Sequence, residues 1–207
     1  MNGQKMLTLF YSPQSRSTRL LALVHELGLR DHLKLTPVTI TRSDGSGGPD
    51  PQNPHPEKKV PVLLDGDTVI TESGAIMLYL TDMFADKGIG PKVTDADRGA
   101  YLMWLFWYGD VAEPVYNLAA AGIEHPVMSA TFRGVPEVEA RLIEVFADGR
   151  DFLLGESFSA ADLLVPSPYF WFPDWAPNDA KVRAWVERIK SRPSMTWAME
   201  FEQETAL

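Results

Sequence analysis

Lys59–Leu80 reads KVPVLLDGDTVITESGAIMLYL, and this stretch fixes two strands and a helix start within about twenty residues. Val62–Leu64 and Thr68–Ile70 are short apolar runs on either side of Asp65-Gly66-Asp67, the composition of a tight hairpin turn. Pro61 stands at the entrance of the first strand, where a missing amide is tolerated. A cis Val60–Pro61 bond there would hold the Val60 backbone edge-on, open to pairing with an extended peptide. Ser73 is a good N-cap, and Glu72 beside it puts a carboxylate at a helix start whose unpaired amides attract an anionic group. One spot thereby suits a ligand that presents an amine and a carboxylate together.

Upstream of this block, strand and helix alternate. Met6–Tyr11 is a short apolar strand, and residues 16–28 read as a helix with Leu20, Leu23, Val24 and Leu27 at helical spacing and Gly28 as its cap. Leu33–Val38 suits a second strand. The Gly-, Pro- and Ser-rich SDGSGGPDPQNPHP after it cannot be a regular element and reads as a mobile surface loop. Residues 86–91, DKGIGP, are the best linker, and almost everything after Val93 reads as helix. Thr94 is the expected N-cap of a long helix bearing Tyr101, Trp104, Leu105, Tyr108, Val111 and Val115, with Pro114 kinking or ending it. Pro136 opens another helix, and Ser159-Ala160-Ala161-Asp162 is a side-chain cap before an apolar run. The expected division is residues 1–85 for the α/β domain and 93–207 for an all-helical one.

Size and composition bound the function. A chain of 207 residues, 45% hydrophobic, buries one large core or two modest ones. A formal charge of −9 argues against general affinity for nucleic acid or anionic membrane. Cysteine is absent, which excludes disulfides, protein-thiol redox catalysis and cysteine zinc sites, and the four histidines show no metal spacing. No apolar run approaches the roughly 20 residues of a spanning helix, and the N-terminus is too short and broken for a signal peptide, so a cytoplasmic location is expected.

The central block resembles the glutathione S-transferase superfamily, in which Val-Pro and Glu-Ser form the glutathione site on a thioredoxin-like domain. The family pattern runs NP-x-GKVPVL, then ES-x-AI and YL; this chain gives NPHPEKKVPVL, ESGAI and YL, with Lys58 where glycine is usual and two extra residues around His55 and Pro56. The S-x-x-D cap at 159–162 resembles that of a buried helix in the family's second domain. The resemblance implies a thioredoxin-like N-terminal domain with an all-helical C-terminal domain. It also implies glutathione as co-substrate, no metal, and a homodimer.

It further implies roles for particular residues. Glutathione would lie extended, its cysteine backbone on Val60 beside Pro61, its γ-glutamyl end on Glu72 and Ser73, and its glycine carboxylate near Lys59 or Lys58. In serine-type members a serine after the first strand donates to the sulfur, and Ser15 occupies that position in LFYSPQSRSTR. Tyr11 matches the tyrosine of other classes and is the second candidate. Arg16 stands near where some classes have a cysteine, and its cation would add about 1 kcal/mol to thiolate stability. A free thiol with pKa about 8.5 is only a few per cent thiolate at neutral pH, so such donors raise the reactive fraction. The thiolate would attack a small apolar electrophile held between the domains, with Trp107 and Tyr108 in its wall. Peroxidase, isomerase and reductive dehalogenase activities share the site, and a non-catalytic transferase-fold interaction module is the remaining alternative. Each candidate also has a structural role open to it: Ser15 and Ser17 as helix caps, Tyr11 as a strand end, the Trp104–Trp107–Tyr108 group as packing, and Asp162 as a cap.

Overall fold

The computed structural model describes residues 6–205. The chain forms two compact units, Met1–Lys87 with Ser191–Leu207, and Gly88–Lys190. The first opens with β1 (Leu7–Tyr11), α1 (Thr18–Glu26) and β2 (Leu33–Pro37), and continues with β3 (Val62–Asp65), β4 (Thr68–Ile70) and α2 (Ser73–Met83). The sheet order is β2-β1-β3-β4, with β1 and β2 parallel and the other pairs antiparallel. This is a thioredoxin-like arrangement. β1 is an interior strand of this sheet and reads as a near-continuous apolar run, every residue but Thr8 being buried. Phe10, Val38, Val60 and Val62 pack together on the sheet.

Three segments meet at one end of this sheet. Phe10 near the end of β1 pairs with Val62 at the start of β3, and Leu63 pairs with Ile70 at the end of β4. The turn after β1, the Val60–Pro61 step before β3 and the start of α2 after β4 therefore share that end.

The second unit holds α3 (Arg98–Trp107), α4 (Glu113–Ala120), α5 (Pro126–Phe132), α6 (Val135–Phe146), α7 (Ala160–Leu164), α8 (Ser167–Trp171) and α9 (Ala180–Lys190). The long helix expected from Thr94 starts at Arg98, with Asp97 at the N-cap position and no side-chain cap bond. Of the two outcomes expected at Pro114, a kink or an end, it does not bring an end: a π-turn at Tyr108–Ala112 joins α3 to α4, and Pro114 falls in the first turn of α4, where its missing N–H is tolerated. Pro136 opens α6, with Val138, Leu142 and Phe146 buried.

The last helix, α10 (Pro193–Glu204), packs along α1 in the first unit, whereas the sequence groups residues 93–207 in one helical domain. The reason is a row of aromatics. Trp197 stacks on Phe201 at 5.1 Å, Phe201 lies 5.6 Å from Tyr11, and His25 and Arg30 flank Trp197. A bidentate pair fixes the junction, Arg192 donating to both oxygens of Glu26 at 2.7 and 3.0 Å, with Ser194 Oγ donating to the same carboxylate. Burial alone would raise the Glu26 carboxyl, but Arg192 and Ser194 hold it below the ordinary 4.5. A depressed carboxyl stabilises the fold above its unfolded value and loses that contribution as pH falls through the folded one. Glu26→Gln is thus expected to cost about 1–3 kcal/mol near neutrality. In denaturant melts from pH 7 downward, the gap to the parent should close below the ordinary glutamate value of 4.5; a pH-independent gap would refute the pairing.

Candidate functional site

The Val60–Pro61 bond is cis. The loop leading to it has no regular element, yet it is built from specific bonds. Asn53 is buried and accepts from the His55 N–H while its amide donates to the Lys59 carbonyl at 3.0 Å. His55 Nδ1 accepts from the Glu57 N–H. Lys58 has φ +55°, the left-handed region where glycine is at ease, and its ammonium donates to the Asn53 carbonyl at 2.6 Å. The usual glycine at this place in the motif thus has a backbone reason, and here the lysine's own contact supports that conformation. Lys59 is exposed and ion-paired with Glu57.

At the start of α2, Glu72 is the N-cap, with φ +66°, and Ser73 is the first helical residue, one position later than its role as a cap would require. No side chain caps this end among the described residues, so the first-turn amides face outward. Ser73 Oγ instead accepts from Arg19 Nη2 at 3.1 Å. Arg19 sits on α1 at 3% exposure, so a buried guanidinium stands behind the helix start. The sequence motif gives Arg19 no place in the site; its position beside the apolar Leu20 and Leu21 is the one local sign of its burial. A non-glycine residue held at positive φ beside uncapped amides is the kind of local strain found at ligand sites.

The turn after β1 brings Ser12, Ser15 and Ser17 together. Ser15 is half-buried; its hydroxyl donates to the Ser12 carbonyl at 2.6 Å, accepts from the Ser17 N–H at 3.1 Å and lies 3.1 Å from Ser17 Oγ. Ser17 is the N-cap residue of α1. Arg16 is exposed on the same turn. Tyr11 is different: it is 1% exposed, packs on Phe201, and its hydroxyl is hydrogen-bonded to the Thr205 side chain. Burial pushes that hydroxyl above the ordinary tyrosine value of 10.0.

In the second unit, Trp107 and Tyr108 are buried; Trp107 meets Trp104 edge-on at 5.2 Å, with the Arg141 guanidinium over both rings. Asp162 is fully buried and accepts from the Leu153 and Ser159 amides, from Ser159 Oγ and from Trp185 Nε1. No helix among the described residues is long and apolar enough to cross a membrane.

Residues 11–83 match the family model described as "Glutathione S-transferase, N-terminal domain". Over 207 aligned positions the chain is 31% identical to Glutathione S-transferase F6 of Arabidopsis thaliana, covering 89% of this chain and 95% of that one. A sphingomonad glutathione S-transferase complexed with glutathione superposes with TM-score 0.72 at 25% identity, covering 95% of this chain and 98% of that one. A glutathione transferase from Methylococcus capsulatus gives TM-score 0.72 at 26% identity, covering 96% and 99%. A thioredoxin-like N-terminal sheet followed by a helical region is the fold that this chain shares with these solved structures. The chain belongs to the glutathione S-transferase family.

Proposed function

We propose that the protein conjugates glutathione to small apolar electrophiles. The observation that carries this reading is the convergence, at one end of the sheet, of the serine turn, the Val60–Pro61 step and the uncapped Glu72–Ser73 helix start, tied across by the Arg19–Ser73 bond. Relatives in this family include one solved with glutathione bound. In our reading the γ-glutamyl amine meets the Glu72 carboxylate and its carboxylate meets the α2 amides and Ser73 Oγ. The cysteine backbone pairs with Val60, and the glycine carboxylate reaches Lys59, competing with Glu57. Ser15 is favoured over Tyr11 as the sulfur donor because Tyr11 is enclosed by Phe201 and Thr205. A hydroxyl has one proton, so the sulfur must draw it from the Ser12 carbonyl, which a charged thiolate does better than a thiol. Arg16 and the first turn of α1 add positive potential there.

The thiol proton leaves to solvent, the carbon–sulfur bond forms and the leaving group departs with its electron pair. The chain's own contribution is thiolate stabilisation plus proximity. Trp107 and Tyr108 are the side chains we assign to the electrophile, and a cytoplasmic homodimer is the form we expect to be active. Calorimetry with glutathione tests the core of the reading. The parent should bind, and Ser73→Ala should weaken binding by about 1–2 kcal/mol, the range for a hydrogen bond to a charged group. Absence of binding by the folded parent would overturn the proposal.

A further inference from the structure

Gln14 is the tightest point of the serine turn. Its φ is +52°, a region costly for a residue with a Cβ. Both of its backbone polar groups are held by charged side chains from distant parts of the chain. Its N–H donates to Glu202 Oε2 at 3.2 Å, and its carbonyl accepts from Arg42 Nη1 at 3.3 Å. Arg42 Nη2 also donates to the Pro13 carbonyl at 2.8 Å and to Ser12 Oγ at 3.2 Å. The other oxygen of Glu202 accepts from Thr18 Oγ1 at 2.8 Å, in the first turn of α1. The acid and the base therefore grip the two ends of the segment containing Ser15.

Each holder is itself anchored. Glu202 lies on α10 at 2% exposure. Arg42 is carried by a small closed loop in which its N–H donates to the Ser46 carbonyl and Thr41 bridges Gly47. Gly47, at φ +74°, has no room for a side chain, since a Cβ would fall 2.1 Å from the Ile40 carbonyl oxygen. Burial raises the Glu202 carboxyl, and its bonds from Thr18 and Gln14 and the charge of Arg42 offset part of that. A buried carboxylate spent on a surface turn is more than helix packing needs, because the aromatic row already attaches α10.

We infer that Arg42 and Glu202 are paired positioning residues that fix Gln14 in its left-handed conformation and so aim the Ser15 hydroxyl. This rests on the proposed role of Ser15 as sulfur donor. Neither side chain need touch glutathione; they act through the turn, at Ser12–Gln14 and at Thr18.

The experiment compares the parent with Arg42→Ala, Glu202→Gln, the double variant and Arg42→Lys. For each, the melting temperature is taken, the thiolate absorbance of bound glutathione is titrated against pH, and kcat is measured with an aryl halide at saturating glutathione. Each single variant should raise the bound-thiol pKa by about half a unit or more, a drop of about threefold in thiolate fraction and kcat below that pKa. The double variant should fall short of the sum, because both changes release the same residue. Arg42→Lys, which keeps the charge and one donor direction, should recover part of the shift. Folded single variants with lowered melting temperature but unmoved thiol pKa and kcat would overturn the inference and leave the functional reading standing. If Glu202→Gln fails to fold, Arg42→Ala on its exposed loop decides the question by the same readouts. A parent with no thiolate band overturns the functional reading, and the inference with it.

Discussion

Ser15→Ala is expected to lower the rate constant with a reactive aryl halide by roughly tenfold or more and to raise the pKa of bound glutathione by about one unit, since one unit corresponds to about 1.4 kcal/mol of differential stabilisation. Affinity for glutathione should change far less, because the γ-glutamyl contacts proposed for Glu72 and Ser73 lie at the start of α2 and not at Ser15. Tyr11→Phe should behave oppositely. It removes a hydroxyl bonded to Thr205 in a buried setting, so it should cost about 0.5–1.5 kcal/mol of stability and leave the thiol pKa in place. The absorbance of the bound thiolate, titrated in both variants, separates the two. A shift in Tyr11→Phe with none in Ser15→Ala would transfer the role to Tyr11.

Asp162→Ala should produce the largest loss of stability. A cap carboxylate alone is worth about 0.5–2 kcal/mol. Here the carboxylate also accepts from Leu153 and from the indole of Trp185, so its removal strands donors in three separate segments of the second unit. About 3–5 kcal/mol is expected, or on the order of ten degrees in melting temperature for a chain of this size. Glutathione affinity of the folded fraction should be unchanged, and a loss of affinity without thermal change would contradict a structural role. Burial pushes this carboxyl up to about 6 against its four donors. Because the folded value lies above the unfolded one, protonation favours the fold below about pH 4, and that contribution is lost as pH rises through about 6. Asp162→Asn should flatten that part of the stability profile.

What could be read in the sequence was local. The hairpin of β3 and β4, the start of α2 within one residue, and the cap at Ser159–Asp162 each depend on residues a few positions apart, where turn chemistry and period leave a direct trace. Lys58 was visible as a departure from the family motif, but its left-handed backbone and its bond to Asn53 were not. Arg42 and Glu202 left no trace, because each reads as an ordinary solvated charge. They meet the serine turn across 28 and 188 positions respectively, and no pattern in one sequence reports a contact at that range. The return of α10 to the first unit was hidden for the same reason, since the helix was legible but its partner was not. The π-turn before Pro114 escaped because proline signals a disturbance in a helix without saying how the backbone absorbs it.

The route of the chain has a consequence for its making. The second unit, Gly88–Lys190, is one uninterrupted stretch, whereas the first needs Ser191–Leu207 to complete it. As the polypeptide emerges from the ribosome, the sheet can form early, but Tyr11 and the α1 face must wait for α10 before their aromatic cover arrives. The second unit can finish first. The serine turn is fixed only once Glu202 of α10 has reached Gln14 and Thr18, and a nascent chain that stops short of α10 would leave Tyr11 and the apolar face of α1 uncovered.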